Sequence, residues 1–107
     1  MKLMISESDY TTMDLSRLAD KINSVNSYES PIDISAGIWF DDPSRLHIVI
    51  SENYSNFHKS KAATLYMQGN DYVLRSDYPQ NTVVFKSERE IVEYFRKFVN
   101  SQVLPNW

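Results

Sequence analysis

The sequence predicts an α+β fold: a central antiparallel sheet of about five strands, with an amino-terminal helix before it and a carboxy-terminal helix after it. Three observations carry that expectation. Apolar residues recur at three- and four-residue steps near the two ends of the chain, the period shortens to two between them, and turn residues divide the middle into hairpins. Helices that flank a run of strands pack as a separate layer.

The first helix is predicted over residues 11–26. Leu15, Leu18, Ile22 and Val25 form one apolar stripe, with Ala19 beside them. Thr11 and Asp14 have the spacing of a capping box, in which each side chain satisfies an orphan backbone donor. Asn23, Asn26 and Ser27 lower helix propensity and release the chain before Pro31.

From Ile32 to Phe40 the alternation is that of a strand, with Ile32, Ile34, Ala36, Ile38 and Phe40 on one face. Asp33, Ser35, Gly37 and Trp39 take the other. Asp41-Asp42-Pro43-Ser44 reads as a turn, since proline presets φ and aspartate caps the bend. Leu46, Ile48 and Ile50 then alternate with Arg45, His47 and Val49. Cross-strand partners share a face, so the expected pairs are Phe40 with Leu46, Ile38 with Ile48 and Ala36 with Ile50. That register leaves Asp42 to Ser44 as the loop and sets Trp39 opposite His47. Residues 51–61 have no period and read as a long polar connection carrying Tyr54, Phe57 and His58.

Gly69-Asn70 is a two-residue hairpin signal between the runs 62–67 and 72–76. Counting outward pairs Met67 with Tyr72, Tyr66 with Val73, Leu65 with Leu74, Thr64 with Arg75 and Ala63 with Ser76. A turn at 77–81 leads to a short β-branched strand, 82–85. The last helix opens on the capping box Ser87-Glu88-Arg89-Glu90. Ile91, Val92, Phe95, Phe98 and Val99 share one sector of it, Glu93 stands four residues before Lys97 as a surface pair, and Pro105 ends any continuation.

The chain has 107 residues, which is one domain, 1–107, able to bury roughly two thirds of its unfolded surface. It has no cysteine, which excludes disulfides and thiolate chemistry and favours a reducing, cytoplasmic setting. No signal-peptide or membrane-spanning run is legible. Net charge is −3, with nine acids against five Lys and Arg in residues 1–60 and five against six in 61–107. Phosphate backbones need a concentrated basic footprint, so direct nucleic-acid binding is not expected.

No catalytic residue, metal or cofactor is expected. Two glycines, Gly37 and Gly69, cannot build a phosphate-cradling loop, and none of the fourteen serines sits in a nucleophile elbow. His47 and His58 are the only histidines; together they could run acid–base chemistry, which makes a small histidine-dependent nuclease one rival reading.

Two surfaces stand out instead. One is the second face of the sheet: Trp39, His47, Val49, Tyr66 and Val73, with Thr64 and Arg75. Aromatic residues with an arginine compose partner interfaces when solvent reaches them. The favoured arrangement nevertheless puts one helix on each face, which makes Trp39 a core residue. The other surface is the 51–61 connection, with Tyr54 and Phe57 as anchors.

The expected function is a small non-enzymatic inhibitor of a protein partner, such as a toxin-immunity protein or a phage protein that blocks a host defence nuclease. Asp41 and Asp42, at a hairpin tip beside Trp39, would steer it toward a basic surface. A homodimeric accessory subunit, joined through the aromatic face or the 82–85 strand, is the other alternative.

Overall fold

The computed structural model describes residues 12–39, 41–54, 57–77 and 80–107. The elements run α1 (Thr12–Asn23), β1 (Ile32–Ile38), β2 (Arg45–Tyr54), β3 (Phe57–Gln68), β4 (Asp71–Asp77), β5 (Gln80–Phe85) and α2 (Glu88–Ser101). The strands form one sheet in the order β1-β2-β3-β4-β5, every neighbour antiparallel. This is the α+β layout expected from the periodicities.

Both helices lie on the same face of that sheet. Leu15, Leu18, Ala19 and Ile22 of α1 and Ile91, Phe95 and Val99 of α2 share one buried cluster with sheet residues from all five strands. Ile34, Ile48, Leu65, Leu74 and Phe85 represent the strands in it. The expected arrangement, one helix per face, is therefore wrong, and Trp39 is not part of this core. Periodicity says which side of a helix is apolar; it does not say which side of the sheet that stripe meets.

α1 ends three residues earlier than predicted, and Asn23 and Asn26 have other partners. The Asn23 amide hydrogen-bonds both backbone groups of Ala36, and the Asn26 amide those of Ile34. Thr11 of the predicted capping box lies outside the described residues, and so does the Asp14 side chain.

In the first hairpin the faces are as predicted but the register differs by two. Ile38 pairs with Leu46, Ala36 with Ile48 and Ile34 with Ile50. A two-residue slip keeps every side chain on its own face, so face matching alone cannot detect it. The turn decides: Asp42 Oδ1 accepts from Ser44 N at 3.2 Å, Arg45 N donates to Asp42 O at 3.2 Å, and Trp39 N donates to Arg45 O at 3.2 Å. Gly37, and not Trp39, stands opposite His47. Phe40, expected opposite Leu46, lies outside the described residues.

The predicted connection at 51–61 is a further correction. β2 continues to Tyr54 and β3 begins at Phe57, with Ser51 paired to Ser60 and Glu52 to Lys59. β4 pairs only with residues 64–68 of β3, so the far end of this hairpin has water on more sides and needs no apolar alternation. The second hairpin has the predicted pairs from Met67 with Tyr72 to Thr64 with Arg75, and Gly69 takes the positive φ of 64° that its turn requires. β5 starts at Gln80, two residues before the predicted run.

α2 opens as predicted. Ser87 Oγ accepts from Glu90 N at 3.2 Å, and Ser87 N donates to Glu90 Oε2 at 3.1 Å. Its end comes before Pro105: Gln102 takes the left-handed conformation at φ 59° and its N–H returns to Phe98 O at 2.9 Å. Glu93 pairs with Arg96 at 2.7 Å instead of Lys97. Beyond the helix the chain folds back, burying Trp107, whose Nε1 donates to Tyr94 Oη at 2.7 Å.

Candidate binding face

With both helices on one side, the alternate residues of the strands form a second face that no helix covers among the described residues. Register lays them out in rows. Gly37, His47, Thr64, Arg75 and Thr82 succeed one another across the five strands. Arg45, Tyr66, Val73 and Val84 form the next row, with Trp39 N bound to Arg45 O at its β1 end.

Trp39 and His47 are diagonal neighbours, and their rings stack at 4.5 Å with 26° between planes. On the β1 side His47 has a glycine directly opposite, so the indole supplies the side-chain contact that Gly37 lacks. The contact leaves Trp39 Nε1 buried with no hydrogen-bond partner among the described residues. Such a donor costs about 1–3 kcal/mol. The stack is tolerated at the expense of a polar group.

In the neighbouring row the Arg45 guanidinium lies 5.2 Å from the Tyr66 ring centroid, a cation–π distance, while Arg45 Nε pairs with Asp42 Oδ2 at 2.9 Å. Arg75 Nε stands 3.8 Å from Asp77 Oδ1. Arg45, Thr64, Tyr66, Arg75 and Asp77 rim a shallow depression of about 210 Å³. A second depression beside it is lined by Trp39, His47 and Ala62. Val73, between Tyr66 and Val84, is buried although it faces away from the helices.

The predicted site residues divide accordingly. Trp39, His47, Tyr66 and Arg75 come together on this face. Asp41 is exposed, whereas Asp42 is engaged in the turn, and its hydrogen bond from the Ser44 hydroxyl, with Arg45 adding attraction, holds its carboxyl below the usual range. Tyr54 and Phe57 face each other across the far hairpin end, and their side chains lie outside the described residues. His58 pairs with Asn53, six positions along β2 from His47, or about 20 Å at strand rise. The His58 side chain, like those of Tyr54 and Phe57, lies outside the described residues.

Arg45 and Asp77 also belong to the face and were not singled out by the sequence. The signal for Arg45 is its place opposite Tyr66, which becomes visible only once 51–61 is read as a hairpin. Among the described residues no group of three or more His, Asp or Glu side chains is placed to hold a metal ion, and no helix is long and apolar enough to cross a membrane. Comparison with protein families, with curated proteins and with solved structures finds no significant match.

Proposed function

We propose that this protein is a non-enzymatic binding domain that neutralises a protein partner by docking its open sheet face on it. An immunity protein or an inhibitor of a defence nuclease would act in this way. The observation that carries the reading is the composition of that face. Trp39, His47, Tyr66, Arg45 and Arg75 gather on a rigid sheet, around two shallow depressions. Aromatic and arginine side chains dominate binding energy where they are centrally placed, because they lose little entropy per contact made. The pairing of Arg45 with Tyr66 and Asp42 pre-orients one anchor, which lowers the cost of association. Asp41 and the acidic amino-terminal half steer the approach toward a basic surface.

A photo-cross-linking residue at Tyr66, compared with one at the exposed Arg89 of α2, tests the reading in native lysate. The expected result is one protein captured from Tyr66 and absent from Arg89. That protein, purified, loses its own activity on mixing with the wild-type chain and keeps it on mixing with Arg75→Glu. Equal capture from both positions, or full inhibition by Arg75→Glu, refutes the open face as the docking surface.

A further inference from the structure

We draw no further inference here: the strongest candidate, the open space over Gly37 on the helix-free face of the sheet, where an added Cβ would meet nothing within 4 Å, carries nothing because nothing in the structure shows what covers it.

Discussion

The side-chain amide of Asn23 occupies the place of a missing strand beside Ala36: Nδ2 donates to Ala36 O at 3.0 Å, and Ala36 N donates to Oδ1 at 2.8 Å. Asn26 repeats the arrangement with Ile34, at 2.8 Å in both directions. The two amides therefore satisfy four backbone groups of an edge strand that would otherwise depend on water or another chain.

Replacing Asn23 with Ala should destabilise the fold by about 1–3 kcal/mol, the cost of leaving a part-buried backbone donor and acceptor unpaired. Asn23→Asp keeps the acceptor and loses the donor, so it should fall between the two. Chemical denaturation measures both. An unchanged midpoint for Asn23→Ala would mean that water replaces the amide without loss.

Phe95 is fully buried between the helices and the sheet. Phe95→Ala should cost about 3–5 kcal/mol, from lost transfer energy plus the cavity left behind. A loss below about 1 kcal/mol in urea melts would show that the neighbouring side chains collapse into the space.

Gln102 ends α2 with a left-handed backbone that glycine adopts without penalty. Gln102→Gly should stabilise the protein by about 0.5–1 kcal/mol, because relief of the Cβ strain exceeds the added unfolded-state entropy. Thermal melting checks the sign. A lower melting temperature would mean that the Gln side chain contributes more than the strain it imposes.

Burial raises the Tyr94 phenol above its ordinary range, and the hydrogen bond from Trp107 only partly opposes this. A raised acid stays neutral in the fold, so its contribution is complete below the unfolded pKa of about 10 and is lost as pH rises through the folded value. Alkaline unfolding should therefore begin above about pH 10 and weaken in Tyr94→Phe. Ultraviolet titration of the phenolates, with the melt followed in parallel, tests this; an unaltered alkaline limb in Tyr94→Phe would remove Tyr94 from the account.

Asp42 acts in the opposite direction. Its carboxyl is held low by the Ser44 hydroxyl, so the turn is favoured above the unfolded pKa and loosens as pH falls through the folded one. The Ser44 amide resonance should titrate with a midpoint below the usual aspartate value, and Asp42→Asn should abolish that transition. Charge reversal at Asp42 perturbs the turn as well as any partner, so Asp41→Lys is the cleaner probe of steering. It should slow association and flatten its salt dependence at constant melting temperature.

The elements and their faces were legible because local chemistry sets them. The Ser87 capping box, the Gly69-Asn70 turn and the apolar stripes each operate within a few residues, where the physics of caps, positive φ and side-chain period is self-contained. What needed the tertiary structure depends on partners far along the chain. Face matching is blind to an even slip, so the β1–β2 register waited on the Asp42–Ser44 turn. The polar hairpin at 51–61 has no core to pattern it, and its strands show only in their pairing with each other. Asn23 and Asn26 read as weak helix formers, because propensity knows nothing of the β1 edge that their amides close. The open face was decided last, by docking of both helices on one side of the sheet, since an apolar stripe specifies burial and leaves the choice of side to the packed whole.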